Sequence, residues 1–265
     1  FQSSFGENVA AEGLYYVASF NTNESAYGDF GDYKELGYLA LANYSYKDKY
    51  VLDLSFRNDG SSRFASGYRF GNFYSVGAAW NISNENFLAD SDIVSDLKLR
   101  ASFGQTGNNG IGNNQYQSLF GYGGAYDNNG AVAPSTFGNL IISWETAELL
   151  DVGVDFSLFD GRLSGGVTYY EKTTEDLLQS VPLSTTTGHS SQTMNIGSIL
   201  NKGVEIEIDA QVLRTKDFSF EVYGNFSENR DEVLKLAQDA AGNDINLDSF
   251  YYTTRVGLPQ SQWYI

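Results

Sequence analysis

The chain has 265 residues, 42% of them hydrophobic and 18% charged, a composition that excludes intrinsic disorder. Its formal net charge of -17 argues against nucleic acid as a partner, because a strongly acidic protein repels phosphate backbones. With no cysteine and one histidine, the chain lacks the residues of thiolate metal sites and of most nucleophilic catalysts, so we predict no enzyme, no metal site and no cofactor.

Strict alternation of apolar and polar side chains predicts about nine strands, because a period of two places successive side chains on opposite faces. In chain order, the predicted strands lie near 10–20, 36–46, 49–57, 72–82, 95–105, 147–159, 162–171, 203–213 and 217–228. In the clearest of them, apolar Ile206 and Ile208 flank acidic Glu207. Each predicted strand therefore has one apolar and one polar face.

Short and long connections alternate between the predicted strands. The short ones lie at 46–49, 83–94, 159–162 and 214–217, and the long ones at 21–35, 58–71, 106–146, 172–202 and after 229. Long structureless loops are uncommon in soluble domains, whereas membrane β-barrels have short turns at one end and long loops at the other. About ten residues, rising about 3.3 Å each and tilted near 45°, cover about 23 Å, close to the apolar band of such barrels. The pattern predicts an all-β fold, an antiparallel transmembrane β-barrel segment with short periplasmic turns and long extracellular loops.

Acidic side chains gather on the polar faces of two predicted strands. They are Asp151 and Asp155 in one strand, and Glu205, Glu207 and Asp209 in the other. Paired carboxylates can hydrolyse glycosides, and polar side chains also line the water-filled lumen of a barrel. We favour the lumen, because a polar lining is expected there without any catalysis.

Aromatic side chains in the predicted outer loop at 106–146 are interleaved with asparagines. Flat rings and amides suit carbohydrate, but the same rings also pack loops together or form an interfacial girdle, and both interpretations stay open. Tyr122 and Trp144 are the two that we take as candidate ligand contacts. His189, the single histidine, is predicted to be a solvated loop residue.

Six stretches of the sequence resemble the SusC/RagA family of TonB-dependent outer-membrane transporters. They follow the family's order and spacing from about residue 36 to 236, and as a set they are highly specific. The stretches lie at 36–50, 57–64 (RNDGSSRF), 95–112, 144–145, 152–178 and 195–207. Arg57 and Arg63 lie in the second stretch, and we add them to the residues expected to face substrate or lumen.

The resemblance implies that residues 1–265 are part of the barrel domain, contributing about nine to ten strands of a barrel of about 22. It places the plug domain and the signal peptide outside this sequence. It also implies a β-barrel that crosses a bacterial outer membrane many times and is surrounded by lipid. The implied partners are TonB, acting through the plug, and a SusD-like surface lipoprotein that closes over the loops. An oligosaccharide or a peptide would be the cargo.

Two other functions stay open at this point. A passive porin-like channel would have the same strands and an open lumen. A soluble glycan-binding or adhesive β-protein would share the loop aromatics but would not need a lipid-facing surface.

Overall fold

The computed structural model describes residues 31–126, 129–239, 241–248 and 251–263, and their regular structure is almost entirely β-strand. In chain order the strands are β1 (Glu35–Tyr46), β2 (Tyr50–Ser61), β3 (Phe70–Asn81), β4 (Val94–Asn108), β5 (Leu119–Tyr126), β6 (Asn129–Thr136), β7 (Glu145–Leu158), β8 (Leu163–Glu175), β9 (Leu178–Pro182), β10 (Ser191–Asn195), β11 (Ser198–Arg214), β12 (Ser219–Lys235), β13 (Leu247–Asp248), β14 (Tyr252–Thr254) and β15 (Gln262–Trp263). Short 3-10 helices lie at Ile82–Asn84 and Thr185–Thr187. Over these ranges, no helix is long and apolar enough to cross a membrane. The strand predicted at 10–20 lies outside the described residues.

Eight strands form one antiparallel sheet, which we call the wall, in the order β1-β2-β3-β4-β7-β8-β11-β12. Each wall strand pairs with the wall strand that follows it in the chain. The other strands form two outer hairpins, β5–β6 and β9–β10, and a small sheet of β13, β14 and β15. The up-and-down order predicted from the alternating segments is confirmed for these eight strands.

The pairing registers give the wall one apolar and one polar face. Leu54 lies opposite Val76, and Val76 lies opposite Phe103. One position along, Ser55 lies opposite Ser75, and their hydroxyl oxygens are 2.6 Å apart. Because directly opposed residues share a face, the alternation of each strand continues across the sheet.

Tight turns join β1 to β2, β7 to β8 and β11 to β12 at one end, which we call the short-turn end, and a longer connection at 82–93 joins β3 to β4 there. Lys47 and Asp48 have φ values of 54° and 53°, and the Lys49 N–H donates to the Tyr46 carbonyl at 3.0 Å. Two central residues at positive φ define a type I′ turn, whose twist matches that of the flanking strands. Three successive residues at 159–161 also have positive φ. These turns set the registers of β1 with β2 and of β7 with β8.

The buried apolar core lies in the long connections at the opposite end, which we call the outer end. Phe64 and Ile142 are fully buried there and form a cluster with Ile111. Tyr116, Trp144 and Leu178 pack against this cluster. The sequence predicted long structureless loops, whereas the described connections contain hairpins and a core, because apolar residues from separate loops collect in one place.

Candidate functional site

The polar face of the wall brings six predicted site residues onto one surface. They are Arg57 on β2, Asp151 and Asp155 on β7, and Glu205, Glu207 and Asp209 on β11. Gly166 of β8 lies opposite Asp155 on one side and opposite Glu207 on the other. With neighbouring strands about 4.8 Å apart, these two carboxylates project from positions about 10 Å apart on the same face.

Arg100 of β4 joins the two β7 carboxylates. Its guanidinium donates to Asp151 Oδ1 at 2.6 Å and lies 3.3 Å from Asp155 Oδ2. It also donates to the Thr168 hydroxyl of β8 at 2.5 Å. We call these four residues the arginine cluster. It spans three strands and neutralises charge on the polar face.

Gly153 allows the Arg100 side chain to extend across β7 as far as β8. It lies directly opposite Arg100, and a Cβ at position 153 would be 2.7 Å from Arg100 Cζ. The long side chain therefore lies flat across β7 to contact β8. Our sequence analysis missed Arg100, although alternation places it on the polar face, because the register that aligns it with the acids was not known.

Unlike Asp151 and Asp155 of β7, the carboxylates of β11 have no cationic partner among the described residues. Over the described ranges, Glu205, Glu207 and Asp209 form no salt bridge. Their neighbours on β12 are Ser227, Asn225 and Tyr223. No three His, Asp or Glu side chains in the described residues are grouped so as to hold a metal ion. The β11 acids form an unpaired negative stripe beside the arginine cluster, in which two carboxylates share one guanidinium.

A recess of about 600 Å³ opens beside β2, β3 and β4. Small residues line its floor, among them Ser55, Ser75 and Gly104. Arg57 and Asp59 also line it, and the Arg57 Nε–H donates to Asp59 Oδ2 at 3.0 Å. The Arg57 side chain remains 57% exposed, so its guanidinium can still contact a solute.

Arg63 lies away from the polar face, in the loop between β2 and β3. It donates to Asn113 Oδ1 at 3.2 Å and to the Asn109 carbonyl at 3.1 Å. Its guanidinium carbon lies 4.0 Å from the centre of the Tyr33 ring, a cation–π contact. Arg63 thus ties neighbouring loops together.

Trp144 is part of the outer-end core. Its ring lies 5.3 Å from that of Phe64 and 5.5 Å from that of Phe73, and its indole N–H donates to the Arg69 carbonyl at 2.9 Å. Trp144 packs the loops together, and its role as a ligand contact stays a prediction. Tyr122 lies in β5 of the first outer hairpin, and its role as a ligand contact stays a prediction.

At the short-turn end, Glu85 accepts three side-chain hydrogen bonds. The donors are Lys49 Nζ at 2.9 Å, the Tyr50 hydroxyl at 2.7 Å and the Trp80 indole at 3.2 Å. The bonds from Lys49 and Tyr50 lower the pKa of Glu85 to about 2, from an ordinary value of 4.5. Tyr50 and Trp80 stack with ring centres 6.4 Å apart. Aromatic rings with polar tips are typical of a membrane–water boundary.

Eight long strands with separate apolar and polar faces, tight turns at one end and ordered loops at the other define the wall of a β-barrel. The family model described as "TonB dependent receptor-like, beta-barrel" matches residues 2–264. The chain therefore belongs to the TonB-dependent receptor β-barrel family, and its relatives place it with the SusC/RagA type.

Two curated relatives illustrate the match. TonB-dependent receptor P39 of Formosa agariphila is 42% identical over 200 residues, which are 76% of this chain and 19% of the relative. TonB-dependent receptor SusC of Bacteroides thetaiotaomicron is 37% identical over 229 residues, which are 82% of this chain and 22% of the relative. The chain thus spans about a fifth of the length of these relatives.

The fold agrees with solved structures. A chain in the structure of the RagAB peptide transporter superposes with a TM-score of 0.78 at 35% sequence identity, covering 86% of this chain and 25% of that one. The RagAB importer in its closed-closed state gives a TM-score of 0.79 at 34% identity, over 87% of this chain and 25% of that one. The recognised resemblance and the β-barrel fold are both confirmed.

Proposed function

We propose that this chain is part of the barrel wall of an active nutrient importer of the SusC type in a bacterial outer membrane. The observation that carries the proposal is the two-faced wall in a member of this family. In water, a contiguous apolar face of this size would promote aggregation. Against lipid it is required, because lipid-facing and lumen-facing residues alternate along every strand of a membrane barrel.

In this proposal the polar face lines the lumen. Arg57, Asp151, Asp155 and the negative stripe of β11 contact water and passing solute, while Ile206 and Ile208 contact lipid. The negative stripe repels anions and leaves neutral or cationic cargo free to pass. No bond in the cargo is made or broken, so no nucleophile or cofactor is needed.

The remaining parts of the machinery lie in the rest of the protein. The matched relatives are several times longer than this chain, which leaves room for a plug domain that fills the lumen and receives energy from TonB. A SusD-like lipoprotein would close over the outer end, where Arg63, Trp144 and the loop core give it an ordered surface. The cargo is an oligosaccharide or a peptide, and RagAB, which this chain resembles, is named a peptide transporter.

The test is uptake by cells that carry the full-length gene. Labelled oligosaccharide and peptide mixtures are offered to cells with and without TonB. We expect import of one class, with loss of import when TonB is deleted. Equal uptake in both strains would identify a passive porin, and recovery of the full-length protein in the soluble fraction without detergent would identify a soluble β-protein.

A further inference from the structure

A cavity of about 540 Å³ lies at the outer end, between the two outer hairpins. We call it the outer cleft. Its walls are residues 134–137 at the end of β6 and residues 188–193 before and in β10, together with Gln115. No predicted site residue lines it, and it is separate from the recess on the polar face.

The outer cleft is neutral in a strongly acidic protein. The chain has 33 acidic residues and 16 lysines and arginines, yet no Asp, Glu, Lys or Arg is among the residues that line this cavity. The polar groups are instead hydroxyls and amides. The hydroxyls belong to Ser135, Thr136, Ser190, Ser191 and Thr193, and the amides to Gln115 and Gln192. Groups of this kind can pair with the hydroxyls of an uncharged ligand, because each hydroxyl or amide can both donate and accept hydrogen bonds.

An aromatic ring stands beside these polar groups. Phe137 retains 39% of its surface exposed, and its ring centre lies 5.0 Å from that of His189, with an angle of 36° between the planes. An exposed apolar ring next to hydroxyls and amides suits a pyranose, which has an apolar face for the ring and hydroxyls at its edge.

The walls of the outer cleft are fixed to one another. Gln192 Nε2 donates to the Gly138 carbonyl at 2.7 Å, and Asn139 Nδ2 donates to the Thr193 carbonyl at 3.0 Å. The Asn139 N–H also donates to the Gln115 carbonyl at 3.2 Å. These bonds join the connection after β6 to β10 and to the loop before β5. A cleft held in this way loses little freedom when it binds a ligand.

An extended peptide fits this cleft less well than a sugar. Peptides that add to a strand edge need free main-chain donors and acceptors. Pro134 has no N–H, and the Thr193 carbonyl already accepts a bond from Asn139. Without a charged residue in the lining, the cleft also offers no partner for a peptide terminus or a charged side chain.

We propose that the outer cleft binds pyranose units of a neutral oligosaccharide, with Phe137 stacked on the sugar and Gln115 and Gln192 bonded to its hydroxyls. This inference rests on the proposed function and narrows its cargo to a neutral glycan.

The experiment measures binding of the purified full-length protein to an array of neutral oligosaccharides, acidic oligosaccharides and peptides. We expect the unmodified protein to bind a neutral oligosaccharide, and Phe137→Ala to weaken that binding about tenfold or more through loss of stacking. Phe120→Ala is the matched control, because Phe120 is a 65% exposed aromatic of β5 that does not line the cleft. Phe137→Tyr keeps the ring and should keep the binding, which separates lost stacking from misfolding.

Three results would overturn the proposal: no neutral oligosaccharide bound, equal binding by the two alanine variants, or a peptide as the ligand lost in Phe137→Ala. The uptake experiment separates this inference from the proposed function. If uptake depends on TonB but the protein binds no neutral glycan, glycan binding at the outer cleft is refuted and the active importer is not. The active importer would be refuted, and the cleft retained, if Phe137→Ala loses neutral-glycan binding while uptake proves independent of TonB.

Discussion

The wall and the outer end of this protein are stabilised in different ways. In the wall, large apolar side chains such as Leu54 and Ile208 (each 46% exposed) lie open on the apolar face of the sheet, and ladder hydrogen bonds hold the strands together. At the outer end, Phe64 and Ile142 are completely buried, and side chains bond to the backbone of neighbouring loops. The outer end is organised like a small soluble domain.

The difference follows from the surroundings of each region. A sheet only one layer thick has no protein core, so in the proposed membrane barrel lipid covers its apolar face and water its polar face. The loops stand in water on all sides and must bury their own apolar residues. Substitutions in the two regions should therefore have separate effects, and three experiments test this separation.

The largest effect is expected in the outer-end core. Phe64→Ala leaves a cavity beside Ile142 and Trp144, and such a truncation typically costs about 3 to 5 kcal/mol. Hydrogen exchange of the full-length protein should show faster exchange in residues 109–118 and 137–144, with unchanged protection in β7 and β8. Leu54→Ala on the apolar face is the control and should leave the loops protected. If Phe64→Ala also exposes the wall strands, the two regions are one cooperative unit.

A smaller effect is expected from a charge on the lipid side of the wall. Ile206→Arg, at the middle of β11, should lower the free energy of unfolding in lipid vesicles by about 2 to 4 kcal/mol. Glu207→Arg on the opposite face should change it by about 0.5 kcal/mol or less. Denaturant titration of the full-length protein measures both. Equal losses would mean that the assignment of the two faces is wrong.

The smallest effect is expected at the short-turn end. Glu85 has a pKa of about 2 in the folded protein, against an ordinary value of 4.5. Its bonds to Lys49 and Tyr50 therefore stabilise the fold fully above about pH 4.5, and this contribution is lost as the pH falls towards 2. Glu85→Gln should reduce the dependence of stability on pH in this window, as measured by denaturant titration at stepped pH. An unchanged pH profile would show that the unfolded chain holds the same bonds.

The wall strands could be predicted because each has an uninterrupted period of two, yet several strands are longer than predicted. The strand predicted at 203–213 is Ser198–Arg214, and the one predicted at 217–228 is Ser219–Lys235. The added residues lie at the outer end of both strands and include Asn201, Lys202 and Asp231. Where a strand leaves the bilayer, both faces meet water and alternation disappears, so the pattern marks the lipid-exposed part rather than the whole strand.

The candidate sites were predicted less completely. Alternation placed Asp155 and Glu207 on the polar face, but only the register shows that Arg100 bonds the acids of β7 and not those of β11. The first outer hairpin was missed because β5 and β6 contain glycines and Pro134 in place of alternating apolar residues. The outer cleft depends on bonds between distant loops, such as Gln192 to Gly138, which no local pattern specifies.

The unequal strand lengths have a consequence for the shape of the outer rim. β1, β2 and β3 have 12 residues each, whereas β11 and β12 have 17. Five further residues, rising about 3.3 Å each at a tilt near 45°, add about 12 Å along the membrane normal. With the short turns at one membrane surface, the rim is higher above β11 and β12 than above β1 to β3. The outer edge of the wall strands is therefore slanted rather than level, with its tall side at β11 and β12.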